Sequence, residues 1–277
     1  MPFAKKGKGS RVFFSRTKGK RPSSGIEGER EEFLPELFAI FKLNNTTNMN
    51  NIKHALFLLP LLSMIFFSCV REPSDSVSQD SIYGEYRLVY EAGEDKSYAR
   101  AEFHFGSALG TKLELSDPAT VSAGGGELSW KPLLAYYEKD FAGVEEELTF
   151  TYTDIDGNTF SNTVSQTDPI AFPASLDPIE KGAAYTLSWV GNPVGPSETI
   201  TVTVNGPNEG DAKIFTTTDP GATSIILGVD KLGDLGLGTG RIVMERRKDA
   251  PIQEGTSKGG AIWVRYVTAT EEIQINE

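Results

Sequence analysis

The chain of 277 residues holds one thiol, Cys69, directly after the small residue Ser68. A thiol is the nucleophile that an acyl-transfer reaction requires, because the thiolate is the reactive form of cysteine. Other side chains able to do chemistry are sparse. There are two histidines, His54 and His104. His104 falls on the solvent-side register of an alternating strand and reads as an ordinary surface imidazole. A histidine-centred triad would have to use it, and no activated serine stands in a suitable context. Asp154-Ile155-Asp156-Gly157-Asn158 places oxygen ligands at alternate positions, the start of a calcium loop. Counting on from Asp154, the position of the closing Glu is taken by Ser165. A hairpin turn is therefore the plainer reading, with Ca²⁺ at Asp154, Asp156 and Asn158 as the alternative. Trp130, Tyr136, Tyr137 and Trp263 either pack in cores or form a platform on which sugar rings stack. Glu145, Glu147 and Asp140 have the right type for glycosidase acids, but charged strand surfaces produce such pairs routinely. The glycine-rich stretches at 124–126 and 232–240 lack the Lys-Ser/Thr ending of a phosphate loop and lie between strands. Neither a catalytic residue nor a cofactor is expected, and the chain reads as a non-enzyme.

Cys69 gains its meaning from what precedes it. Lys53 lies ahead of an apolar run from Ala55 to Phe67. Crossing a bilayer as a helix takes about 20 apolar residues. The run fits instead the core of a signal peptide, about 7–15 residues behind a positive charge. The segment resembles a lipobox. Phe66 and Phe67 stand where the familiar form has leucine and a small residue, and Ser68 and Cys69 fit. The other reading is a buried helix with a core cysteine, since free cysteines are often buried. Residues 49–68 are then a signal peptide, with Cys69 lipidated. Residues 1–48 are a basic, then acidic extension, either not native, with Met49 as the true start, or disordered apart from a short amphipathic helix near residues 31–42.

Composition changes after Cys69. The whole chain has net charge -11, and the clustered basic residues lie in the extension, so the remainder is more acidic still. Nucleic-acid binding, which wants a basic footprint, is excluded. An acidic body would not adhere to anionic lipid by itself, so an acyl anchor suits it. Residues 69–81, polar and carrying Ser, Asp and Pro, read as a flexible tether.

From residue 82 strand signals dominate. Ser97–Phe105 alternates Ala99, Ala101, Phe103 and Phe105 against Tyr98, Arg100, Glu102 and His104, the period of a half-buried strand. Asp156-Gly157 between alternating runs signals a tight hairpin. The proline-containing stretch 168–181 reads as a linker. Beyond it, further short strands suit an immunoglobulin-like sandwich with Trp189 in its core, and one helical turn is expected within 230–237. The fold class is all-β: two tandem small antiparallel β-sandwich domains, 82–172 and 173–277. No long helical pattern appears after Cys69, which excludes βαβ architectures.

This layout resembles the outer-membrane lipoproteins of the Bacteroidetes type, in which a lipidated cysteine precedes small Ig-like modules. The resemblance covers residues 49–277 and assigns a role to Cys69 alone. It implies a lipid anchor in the outer membrane, with the cell surface slightly favoured over the periplasmic face. The partner it implies is a glycan or an envelope protein. Two functions follow: a non-catalytic binding or structural protein, or a glycan-binding or glycan-active component of an uptake system.

Overall fold

The computed structural model describes residues 71–277. The expectations for the extension, the signal peptide and Cys69 lie outside the described residues. In chain order the strands are β1 (Glu72–Pro73), β2 (Ile82–Glu91), β3 (Lys96–Phe105), β4 (Lys112–Glu114), β5 (Thr120–Ala123), β6 (Gly126–Glu127) and β7 (Ser129–Lys131). Then come β8 (Tyr136–Ala142), β9 (Glu147–Thr153), β10 (Thr159–Ser165), β11 (Ile170–Ala171), β12 (Ile179–Glu180), β13 (Tyr185–Ser188) and β14 (Val190–Gly191). The chain closes with β15 (Glu198–Asn205), β16 (Ala212–Thr217), β17 (Ser224–Leu227), β18 (Gly238–Ala250), β19 (Gly260–Val267) and β20 (Glu271–Asn276). Among the described residues one α-helical turn, α1 (Val229–Leu232), starts within one residue of the expected place. The described residues are all-β in architecture.

The strands assemble into one long sheet and smaller ones packed on its inner face. The long sheet runs β1-β4-β3-β2-β19-β18-β15-β16, with β8 and β7 joined through β3 and β20 and β12 joined through β18. The smaller sheets are β10-β9-β5-β6, β13-β17 and β11-β14. An antiparallel arrangement throughout was expected, and this is corrected at three places. β1·β4, β2·β19 and β12·β20 pair in parallel. In the central one the starts of β2 and β19 lie at the same end of the sheet, with Gly84 opposite Gly260.

Alternation decides which face is buried. Ile82, Tyr86 and Leu88 of β2 and Ala99, Ala101 and Phe103 of β3 meet Phe150 and Tyr152 of β9, forming a first core. Ile262 and Val264 of β19 belong to that core as well. A second core joins Ile200, Val202 and Val204 to Leu187, Leu227 and the expected Trp189. Residues from both sides of position 172 are thus hydrogen-bonded into one sheet, with a core on each half of its inner face. Beside the second core sits Arg246, fully buried. It donates to Asn192 O and lies 3.7 Å from Glu198 and 3.9 Å from Asp168. This charge cluster ties the start of the proline-containing stretch to β18.

Three local expectations need correction. Residues 71–81 are held rather than flexible: β1 pairs with β4, and Ser74, fully buried, bonds Ser116 N through its hydroxyl at 2.9 Å. Gln79 is buried too, its amide donating to Ser74 O at 2.7 Å. Composition misled because short polar side chains can serve the backbone as well as water. His104 does occupy the register facing away from the core, but it is buried, not solvated. The β3–β4 turn folds back so that its Nδ1 lies 3.3 Å from Gly110 O, and Glu102 flanks it at 3.5 Å. Phe105, expected inside, is 45% exposed because the strand there outruns the core.

Candidate binding face

The face of the long sheet turned away from both cores carries charge and aromatic rings in cross-strand rows. Register places Glu138, Arg100, Arg87, Trp263 and Asp249 in one row across β8, β3, β2, β19 and β18. The neighbouring row is Asp140, Tyr98, Val89, Arg265 and Arg247. Arg87 stands opposite Arg100, and Arg247 opposite Arg265. Like charges directly opposite destabilise a sheet, so the surroundings must offset them.

They do so with rings and acids of the same sheet. The guanidinium carbons of Arg247, Arg87 and Arg265 lie 4.3, 5.4 and 5.6 Å from the centre of the Trp263 ring. Such contacts contribute roughly 0.5–1 kcal/mol each where partly exposed. Trp263 Nε1 donates to Glu85 at 3.0 Å. Arg100 pairs with Glu138 at 2.7 Å and lies 5.0 Å from the Tyr98 ring and 5.4 Å from that of Tyr136. Arg265 pairs with Glu245 at 3.0 Å and Arg247 with Asp249 at 2.7 Å.

Glu102 is the electrostatic hub. Burial pushes its carboxyl upward, but His104, Lys112 at 2.7 Å and Arg87 together outweigh burial and hold it down at about 2. Tyr98 is pushed up to about 12, first by its hydrogen bond to Glu94 and then by burial. Burial raises Glu91, against the opposing charges of Arg265 and Arg100.

The four aromatic residues singled out in the sequence are not brought together. Tyr136 and Trp263 belong to this outer face, with Trp263 only 7% exposed beneath its arginines. Trp130 and Tyr137 belong to the inner side, their rings 4.8 Å apart. Tyr137 packs on Phe103 and accepts from Leu115 N at 2.7 Å; burial pushes its hydroxyl up to about 12. The adjacent pair Tyr136-Tyr137 is split because successive strand residues point to opposite faces. The arginines were not singled out. Their signal was present in the alternation of β2 and β3, which puts Arg87 and Arg100 opposite the apolar face.

Asp154, Asp156 and Asn158 form a hairpin turn. Asp154 Oδ1 accepts from the backbone N–H groups of Asp156 and Asn158 at 2.9 and 2.8 Å, and Oδ2 accepts from Asn158 Nδ2 at 2.9 Å. The buried carboxylate is thus spent on its own turn, with Gly157 at φ 83° as the tight bend requires. An open hollow of about 550 Å³ adjoins it, bordered by Gln79, Asp80, Asp156 and Thr256. Among the described residues no group of three or more His, Cys, Asp or Glu side chains is placed to hold a metal ion. Asp140 pairs with Lys96 at 3.1 Å on the long sheet, while Glu147 begins β9 on a smaller one, so these two carboxylates belong to different sheets. No helix of the described residues is long and apolar enough to cross a membrane.

No family model and no curated protein matches the chain. Among solved structures, a 1.5-MDa bacterial ice-binding adhesin, described for host cell surface retention, aligns at 11% identity, with 72% of this chain and 66% of the other covered and a TM-score of 0.23. The FN1–FN3 domains of chicken CNTN1 align at 11% identity over 69% and 66%, TM-score 0.22. The two tandem V-type regions of VCBP3, a v-region-containing chitin binding protein, align at 10% over 68% and 98%, TM-score 0.18. The chain thus spans 66% of the length of the first two. These are distant likenesses and carry no argument about function.

Proposed function

We propose that this chain is a lipid-anchored, non-catalytic binding protein of the bacterial outer membrane, facing the cell surface. Cys69 is its acylated residue and the arginine–tryptophan face its ligand surface. One observation carries the binding role: three arginines, Arg87, Arg247 and Arg265, gather around Trp263, with Arg100 opposite Arg87, on a sheet face that no core uses, in a strongly acidic protein. Two of their cross-strand pairings oppose folding, and the cores need none of them. The anchor rests on the order of Lys53, the apolar run, Ser68 and Cys69.

Within that reading the ligand is a glycan. What favours it is the planar group Tyr98, Arg100 and Tyr136, half-exposed and adjacent, with Glu138 beside it as an acceptor for hydroxyl groups. Flat groups stack on sugar rings, and charged acceptors fix the sugar's orientation. The test is a glycan array probed with the full chain in detergent, beside the double variant Arg100→Ala, Tyr136→Ala. Binding by the parent and at least tenfold weaker binding by the variant are expected. Equal binding by both would remove this face from the account, and no binding by the parent would remove the glycan.

A further inference from the structure

Arg71, two residues after Cys69, is pinned to the body. Arg71 Nη1 donates to Pro132 O at 3.0 Å, and its guanidinium lies 5.6 Å from the Trp130 ring. β1 begins at the next residue and pairs with β4. Two residues of chain span at most about 7 Å. An acyl group on Cys69, the anchor proposed above and the premise of this inference, therefore leaves almost no slack. Whatever surrounds Arg71 is held against the bilayer.

What surrounds it is apolar. Glu72 pairs in parallel with Leu113, so the starts of β1 and β4 share one end of the sheet, together with the β3–β4 turn that carries Leu109. The bond from Arg71 to Pro132 brings the β7–β8 tip to the same place. Leu109 is 98% exposed, Leu133 99% and Leu134 57%. Hairpin tips ordinarily take Gly, Asn, Asp, Ser or Pro, each for a conformational reason. Here Pro132-Leu133-Leu134-Ala135 presents two leucines to water and holds Ala135 at φ 55°. None of the three leucines belongs to either core. A single exposed leucine needs no explanation, but three at the end from which a short anchor would leave do.

We propose that Leu109, Leu133 and Leu134 lie in the interfacial region of the bilayer to which Cys69 is anchored, so that the protein is docked end-on rather than swinging on a tether. Uncharged side chains suit this contact, since the body is too acidic to be drawn to anionic lipid.

The test uses the full chain purified from membranes. Leu133→Cys carries an environment-sensitive fluorophore, in vesicles of phosphatidylethanolamine and phosphatidylglycerol containing a lipid with a nitroxide near the head group. The control label sits at Glu209→Cys, in the β15–β16 turn. That turn lies toward the start of β18, where Asn205 pairs with Arg241, while the far end of β18 leads into the loop before β19. Blue-shifted, quenched emission at position 133 and unshifted, unquenched emission at 209 are expected. Adding Leu109→Asp and Leu134→Asp should return the emission at 133 to that of water while leaving the strand spectrum unchanged. The mass of the Cys69 peptide is read from the same sample. An acylated Cys69 with a water-like signal at 133 overturns the docking and leaves the anchor standing. An unmodified Cys69 overturns the anchor, and the docking with it.

Discussion

Glu102 shows how much of the outer face depends on single side chains. Its carboxyl is held at about 2 against an unfolded value of 4.5. A depressed carboxylate adds stability that is present above the unfolded pKa and lost as pH falls through the folded one. The window here is therefore from about pH 4.5 down to about 2. The contribution above that window is on the order of 2 kcal/mol once solvent screening is allowed for. Glu102→Gln should lower the urea midpoint at pH 7, and the gap from the parent should shrink as pH falls to 2.5. A gap unchanged at low pH would contradict the assignment. The burial of His104 on the outer face belongs to this hub and was invisible in the sequence. Alternation correctly gives the side of the sheet, but long neighbouring side chains and a returning turn decide whether that side is wet.

Among elements, the β9–β10 hairpin was the most legible. Asp-Gly between alternating runs names the turn, and the turn then absorbs the Asp154 carboxylate that a calcium loop would need. Asp154→Ala strips two backbone N–H groups of their acceptor and should cost about 1–3 kcal/mol. Millimolar calcium should leave the melting temperature of the parent unchanged, and a rise of several degrees would return the loop to metal binding. β8 was not legible. Its run YYEKDFA has adjacent aromatics and no clean apolar alternation, and it is a strand because β3 and β7 supply partners on both edges. Missing it hid the fact that Tyr136 and Tyr137 face opposite ways, and with it the split of the supposed platform. Residues 71–81 failed for a related reason: the side chains of Ser74 and Asp80 accept from Ser116 and Ser257 of the body, and Gln79 bonds back within the segment.

At the scale of the molecule, pairing of β19 with β2 makes the two strand sets depend on each other. A fragment of residues 71–172 would lack Ile262 and Val264 from its core and expose the edge of β2. It should give a collapsed or aggregated species without a cooperative melt, whereas residues 71–277 should melt in one transition. An independently folded 71–172 would show that β19 is dispensable. Pairings between distant segments are what local patterns cannot specify, so the strands were readable and the long shared sheet was not. Every larger claim, from the envelope location to the end-on docking, hangs on the acyl group. The most direct measurement is metabolic labelling of the full chain with a fatty-acid analogue in a Gram-negative host, beside Cys69→Ala. The account predicts label on the parent and none on the variant. An unlabelled parent, or label retained by Cys69→Ala, would contradict it.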